Sequence, residues 1–222
     1  MHAEAPSDEA VIGAVLFDAD GVIQEPSVAW RGALEALAGD VRRADDLLAD
    51  IFAAEKPCLT GDEDFETALA GVLLRWNCAT PVKEALRIWT MIDKDDQILN
   101  VIAQLRAQPT YVALATNQQA HRAGFMSEEL GYAKLFDELF YSCELGYAKP
   151  DPEYFLAILG KLELAGENVL FLDDHEPNVS AAMSVGLHAR VFRKASGVAE
   201  LRGLLKEYDL DAGNQAGRGE KL

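Results

Sequence analysis

The alternation of hydrophobic and polar positions divides the chain into a short apolar run, a helical segment and a longer region of mixed character. The apolar run at residues 11–17 is rich in β-branched side chains and stops at the sequence Asp-Ala-Asp-Gly. This pattern predicts a buried strand that is followed by a polar turn. From about residue 28 to 92 the hydrophobic positions recur at helical spacing, broken by Gly and Pro signals, which predicts an all-helical insert of about four helices.

After the insert, apolar runs alternate with helical patterns. Strands are predicted at residues 111–115, 139–142, 169–172 and 189–192, and helices at residues 97–106, 119–129, 152–159 and 178–185. Strand, crossover helix and strand in succession favour a mostly parallel sheet with helices on both faces. The predicted fold class is therefore α/β, a doubly wound parallel sheet with a small helical domain inserted after the first strand.

These patterns also predict the domain boundaries. Residues 10–24 and 95–208 are expected to form the α/β core, and residues 25–94 the helical insert. Residues 209–222 are polar and rich in glycine, so a disordered tail is expected.

Composition narrows the range of partners. The chain of 222 residues has 37 acidic and 20 basic side chains, a formal charge of -17. Such a charge opposes binding to nucleic acid or to anionic lipid, so neither partner is expected. The N-terminus lacks the order of a signal peptide and no apolar run approaches about 18 residues, which favours a cytoplasmic protein with no membrane partner. The oligomeric state stays open.

The first candidate site follows the first strand. Asp18 and Asp20 flank one small residue, and Gly21 allows the backbone to turn away. Two close carboxylates favour a cation, and Mg²⁺ prefers oxygen ligands. An acidic turn without a metal is the simpler alternative. An EF-hand loop fits poorly, because the glycine stands at the fourth position and Ala29 at the twelfth.

Three further polar groups stand at predicted strand ends or turns. Thr116 and Asn117 end one strand, Lys149 precedes a Pro-Asp-Pro turn, and Asp173 and Asp174 end another strand. In parallel sheets, ligands bind beyond the carboxyl ends of the strands. Each group also has an ordinary structural explanation when taken alone: a helix N-cap for the threonine and the aspartates, and a solvated surface group for the lysine.

The four groups together, in this order, resemble the motifs of the haloacid dehalogenase superfamily. The matching segments are residues 17–22, 115–117, 146–152 and 171–174, with Asn178. The resemblance spans roughly residues 11–192, and the helical insert is similar to the small helical cap of that family. The chain is most similar to family members that are phosphatases of sugar phosphates and related small metabolites.

The resemblance implies a role for each residue. Asp18 would be the nucleophile that forms an aspartyl-phosphate, and Asp20 the general acid and base. Thr116 and Asn117 would bind the phosphate oxygens. Lys149 would bind and neutralise the same group.

The resemblance also implies a Mg²⁺ cofactor. Its ligands would be Asp18, the backbone carbonyl of Asp20 and Asp174. Asp173 would be a further ligand or would lie in the outer coordination shell. The implied partner is a small phosphorylated metabolite. The second aspartate of the first motif argues against a dehalogenase, since a halide needs no proton on leaving.

Two alternatives to a phosphatase stay open at this stage. A phosphomutase would return the phosphoryl group to a second hydroxyl, and a non-catalytic phosphometabolite-binding protein would bind without turnover. Within the insert, Trp30 and Arg31 are the candidates for contact with substrate, because they lie near the first motif.

Overall fold

The computed structural model describes residues 11–210, and its central element is a parallel sheet. The strands of the described part are, in chain order, β1 (Ala14–Phe17), β2 (Gln24–Pro26), β3 (Ile92–Lys94), β4 (Tyr111–Thr116), β5 (Glu138–Tyr141), β6 (Val169–Asp173) and β7 (His188–Val191). Five of them form one sheet in the order β5-β4-β1-β6-β7, and every pairing in that sheet is parallel. The predicted fold class, with its parallel sheet, is confirmed.

The strand order reverses direction at β1. The chain adds β4 and β5 on one side of β1 and then β6 and β7 on the other. At such a point the connections leave the strand ends in opposite directions and open a crevice. Asp18 immediately follows β1, so the first motif opens into this crevice.

The helices of the α/β core cover both faces of the sheet. They are α5 (Asp96–Arg106), α6 (Ala120–Glu128), α7 (Tyr132–Leu135), α8 (Ser142–Leu145), α9 (Pro152–Leu162), α10 (Glu176–Ser184) and α11 (Gly197–Lys206). Alternate residues of β1 point to opposite faces: Val15 and Phe17 join one apolar cluster, and Ala14 and Leu16 join the other. Both faces are therefore buried, as the continuous apolar strands predict.

The segment between β2 and β3 has an apolar core of its own and is called the cap here. Its helices are α1 (Trp30–Ala38), α2 (Ala44–Glu55), α3 (Phe65–Arg75) and α4 (Val82–Ala85), joined by 3₁₀ turns. The fully buried Leu34, Leu47, Ile51 and Leu69 lie at the centre of that core. Asp64 caps α3 by accepting a hydrogen bond from the Thr67 backbone N–H at 2.8 Å.

The insert predicted at residues 25–94 is not all-helical, because a short strand lies at each of its ends. Strands β2 and β3 pair antiparallel where the chain enters and leaves the cap. Each has three residues, too few to display a two-residue periodicity, and their pairing joins positions about 70 residues apart. Local pattern therefore could not reveal them.

The disordered tail was expected to begin at residue 209, but Leu210 is buried in the core at 7% exposure. The rest of that expectation, residues 211–222, lies outside the described residues, as do residues 1–10. Among residues 11–210 no helix has the length and apolar character that crossing a bilayer requires.

Candidate active site

Four segments bring their polar residues to the carboxyl edge of the sheet. Asp18 follows β1, Thr116 ends β4, Asp173 ends β6, and Lys149 lies in the loop before α9. Their exposure is 7% or less in each case. Residues separated by more than 150 positions in the chain thus share one buried site.

Lys149 joins the first and last of these strands. Its Nζ donates to Asp18 Oδ1 at 2.7 Å, to Asp173 Oδ2 at 2.6 Å and to the Ala115 carbonyl at 3.0 Å. The same ammonium lies 5.1 Å from the centre of the Phe171 ring. The three acceptors use all three donors of the lysine, so its charge has a fixed position beside Asp18.

The main chain of Lys149 is held by Asn117. The Asn117 side chain donates to the Lys149 carbonyl and accepts from the Lys149 N–H, both at 2.8 Å. The peptide bond between Lys149 and Pro150 is cis. These two bonds fix the side chain of Asn117 against Lys149, so its backbone N–H is the group considered for the phosphate contact predicted from the sequence.

The pKa values at this site reflect burial and charge. Burial raises the pKa of Asp18 from 3.8 to about 6, although the charge of Lys149 opposes the rise. Burial also acts to lower the pKa of Lys149, but the charges of Asp18 and Asp173 outweigh it and raise the pKa. The ammonium form of the lysine is therefore favoured.

Asp18, Asp173 and Asp174 form an acidic cluster in which one carboxylate oxygen from each lies within 4.8 Å of the others. Three carboxylates and the ammonium of Lys149 leave a surplus of two negative charges when all are ionised. Burial, and then the charge of Asp173, raise the pKa of Asp174. A divalent cation would balance this surplus, and the oxygen donors suit Mg²⁺.

The two aspartates of the last motif differ in what they contact. Asp173 is fully buried and accepts from Lys149, from the Asn178 side-chain amide at 3.0 Å and from the His175 backbone N–H at 2.8 Å. Asp174 is half-buried and packs on Gly21, whose φ of +80° and lack of a side chain make room for the carboxylate. Asp174 is thus the better placed to bind a cation, and Asp173 holds the lysine.

The carboxylate of Asp20 lies outside the acidic cluster and has its own partners. It accepts from Arg122 at 2.8 Å, from Gln118 at 2.9 Å and from Gln24 at 3.0 Å. Burial acts to raise the pKa of Asp20, but the charge of Arg122 and these donors outweigh it and hold the pKa below its usual value. In this conformation Asp20 is ionised at neutral pH.

Thr116 lies at the end of β4 with 2% exposure, and its Oγ1 accepts from the Gln118 side chain at 3.4 Å. Gln118 in turn is fixed by Ser142, whose Oγ accepts from the Gln118 backbone N–H at 3.0 Å. The helix α6 begins just beyond, with Gln119 accepting from two backbone N–H groups of its first turn.

Sequence reasoning missed the residues around Asp20. Arg122, Gln118 and Gln24 carry no motif of their own, and each has an ordinary place in a loop or helix. One signal was available for Arg122. It lies in the first turn of the helix that follows the Thr116 strand end, so it starts near the carboxyl edge of the sheet.

A cavity of about 320 Å³ opens from this edge towards the cap. Asp20 and Arg122 line one end, and Trp30 is among the cap side chains that line the rest. Arg31 instead forms exposed ion pairs with Glu35 and Asp45. Of the two candidate cap residues, the structure therefore brings only Trp30 to the cavity. A larger cavity, about 830 Å³, includes Ile12 and Thr110 at the opposite edge and none of the predicted site residues.

Comparison with known proteins identifies the family. Residues 12–186 match the family model of the haloacid dehalogenase-like hydrolases. The chain belongs to this family. The match includes all four motif segments, so the resemblance noted in the sequence is confirmed, as is the assignment to a family of hydrolytic enzymes.

Curated relatives match over different shares of the chain. A phosphorylated carbohydrates phosphatase of Thermotoga maritima is 24% identical over 78% of this chain and 82% of its own length. Acyl-CoA dehydrogenase family member 10 of mouse is 37% identical over 105 residues, 47% of this chain. The chain spans only about a tenth of that mouse protein, because the match covers 10% of its length.

Solved structures share the fold of this haloacid dehalogenase-like hydrolase. A hydrolase from Porphyromonas gingivalis has a TM-score of 0.75 and 18% identity, and the match covers 89% of this chain and 99% of that one. A family enzyme from Bacteroides thetaiotaomicron, solved in complex with magnesium and inorganic phosphate, has a TM-score of 0.73 and 18% identity, with 86% and 98% covered.

Proposed function

We propose that this hydrolase is a Mg²⁺-dependent phosphatase that cleaves a small phosphate monoester, a sugar phosphate or a related metabolite, through an aspartyl-phosphate on Asp18. The observation that carries the proposal is the buried ion pair of Asp18 with Lys149 beside the other two carboxylates of the acidic cluster. It is supported by the Thermotoga phosphatase and by the magnesium and phosphate bound to the Bacteroides enzyme.

Magnesium would be held by Asp18, Asp174 and the backbone carbonyl of Asp20, and Asp173 would lie in its outer coordination shell. Bound there, it would neutralise part of the charge that the phosphoryl group brings to an acidic site. Lys149 supplies a second positive charge beside the attacking oxygen. Because the cluster is itself negatively charged, an anionic phosphate needs both of these positive charges to bind there.

Asp18 attacks phosphorus with a carboxylate oxygen, and the bond between phosphorus and the leaving oxygen breaks. Asp20 gives a proton to that oxygen and later takes one from the water that hydrolyses the acyl phosphate. Because the donors around Asp20 favour its ionised form, its first proton arrives with the substrate in this proposal. A phosphate monoester with a second pKa of about 6 carries such a proton in part of its population at neutral pH.

The side chain of Thr116 and the backbone N–H of Asn117 orient the phosphoryl oxygens in this proposal. Lys149 needs no movement to take part, because its Nζ is already fixed by three acceptors. Such preorganised donors stabilise developing charge without reorganisation at the moment of reaction.

The proposal is tested by phosphate release from a panel of sugar phosphates and p-nitrophenyl phosphate, with and without Mg²⁺. We expect metal-dependent release by the native protein, and a loss of at least about a thousandfold in Asp18→Asn, because an amide cannot form the acyl phosphate. Isomerised sugar phosphate without free phosphate would instead identify a phosphomutase. Stoichiometric binding without turnover would identify a binding protein and refute the proposal.

A further inference from the structure

The cavity next to Asp20 has a polar end and an apolar wall. Six apolar side chains line it: Pro26, Trp30, Phe52, Trp89, Met91 and Ile92. Trp89 is buried at 5% exposure and packs against Phe65 with ring centres 5.3 Å apart, whereas Phe52 is 48% exposed at the opening. The cap therefore presents a surface of aromatic and aliphatic groups to whatever enters.

The polar end of the cavity has few groups left to bind a ligand's hydroxyls. Asp20 and Arg122 are the charged residues of the lining, and they form an ion pair with each other. Gln118 and Gln24 use further lone pairs of the same carboxylate. The indole N–H groups of Trp30 and Trp89 and the Nε–H of Arg122, which has no hydrogen-bond partner among the described residues, are donors of the lining, and the carboxylate of Asp20 is its only side-chain oxygen acceptor.

The position of Asp20 indicates that the leaving group of the substrate occupies the cavity. In the proposed mechanism Asp20 exchanges a proton with the leaving oxygen, while the phosphoryl group lies at Asp18 and Lys149. The group attached to the leaving oxygen must therefore extend from Asp20 into the cavity. Its volume of about 320 Å³ equals roughly ten water-sized volumes at about 30 Å³ each.

We propose that the substrate is the phosphate monoester of a compact apolar alcohol, an aromatic or branched aliphatic one of about ten non-hydrogen atoms, and not of a polyhydroxylated sugar. This inference rests on the proposed phosphatase function and replaces the sugar phosphate named there with the ester of an apolar alcohol. A sugar would bring several hydroxyls against the apolar wall, and each one left without a partner costs roughly tenfold in affinity. An apolar body instead gains by leaving water.

The first experiment compares primary-alcohol monoesters, so that the basicity of the leaving groups is similar. Benzyl phosphate and geranyl phosphate represent the apolar class, and glucose 6-phosphate and ribose 5-phosphate the sugars. We expect kcat/KM to be at least tenfold higher for the apolar pair. Equal or higher values for the sugars would overturn the inference, while Asp18-dependent turnover would leave the proposed function standing.

A pair of variants tests whether the wall is responsible. Trp30→Ala should lower kcat/KM for benzyl phosphate at least tenfold, yet change that for methyl phosphate less than threefold, because a methyl group is too small to reach the wall. Trp76→Ala is the matched control: Trp76 also belongs to the cap, but its Nε1 donates to Asp50 and it does not line the cavity. An equal loss in both variants would refute the assignment.

A binding measurement decides the inference without turnover. Two of the three tryptophans line the cavity, so benzylphosphonate, which cannot be hydrolysed, should change the intrinsic fluorescence of the magnesium-loaded protein. We expect it to bind at least tenfold more tightly than the phosphonate analogue of glucose 6-phosphate. Equal binding, or no binding of either, would overturn the substrate class even if every ester in the panel failed to react and the proposed function were also wrong.

Discussion

The contact of Gly21 with Asp174 allows a sharp test of which carboxylate binds the metal. A Cβ added at Gly21 would lie 2.6 Å from Asp174 Cγ, closer than any side chain tolerates, so Gly21→Ala must displace that carboxylate. The residue also has a φ of +80°, which costs a non-glycine residue about 1–2 kcal/mol. The substitution therefore combines a backbone cost with the movement of a proposed ligand.

A matched variant separates the two effects. Gly131 has a φ of +78°, and a Cβ there would meet nothing within 4 Å. Gly131→Ala should therefore bring a backbone cost of similar size without moving Asp174. A difference in stability between the two variants that appears only in the presence of Mg²⁺ indicates that Asp174 binds the metal.

The expected size follows from binding linkage. At a Mg²⁺ concentration of 100 times the native Kd, the metal raises the free energy of unfolding by about 2.7 kcal/mol. If displacement of Asp174 weakens binding about tenfold, the gain at the same concentration falls to about 1.4 kcal/mol. Gly131→Ala should keep the full gain.

The assay is urea unfolding of the native protein and both variants, with and without Mg²⁺, and direct titration of the metal. An unchanged Mg²⁺ gain in Gly21→Ala would refute the reasoning. It would mean either that Asp174 is not a ligand or that the loop shifts without moving it.

Three further predictions concern Asp18 and Asn117. Because burial raises the pKa of Asp18 to about 6, protons should compete with Mg²⁺ below that pH, and affinity at pH 5 should be about tenfold lower than at neutral pH. In the metal-free protein the folded state binds this proton more tightly than the unfolded state, so Asp18 should add stability as the pH falls from about 6 towards 3.8, and Asp18→Asn should abolish that contribution in pH-dependent unfolding. Asn117→Ala removes both hydrogen bonds to the Lys149 main chain and should lower the free energy of unfolding by about 1–3 kcal/mol and reduce kcat more than it changes KM. Asn168→Ala, which removes one exposed bond to the Val11 carbonyl, should lose less than about 1 kcal/mol and keep kcat; equal effects in the two variants would contradict the positioning role of Asn117.

The sequence alone was enough to predict the fold class and the edge of the sheet where the polar groups meet. Parallel strands joined by crossover helices must end at the same edge, so residues that follow β1, β4 and β6 come together however far apart they stand in the chain. That rule needs only the order of strands and polar residues. The same reasoning could not find β2 and β3, since three-residue strands have no periodicity of their own.

The different roles of neighbouring residues depend on how the chain folds in three dimensions. Asp173 and Asp174 are adjacent and identical in type, yet the first holds Lys149 and the second packs on Gly21. Side chains alternate across a strand, so which face each one reaches depends on the register of β6 against β1.

The partners of Asp20 and the lining of the cavity also come from contacts between segments that are distant in the chain. Arg122 reaches Asp20 from a helix 102 positions away, and Trp30 reaches the cavity while its neighbour Arg31 points to solvent. Helical periodicity shows that one side of a helix is apolar, but it does not show which element packs against that side. The reactive side chains can therefore be identified from the sequence. Which side chains surround them depends on how the cap packs on the sheet, because contacts between distant segments form only when whole elements dock.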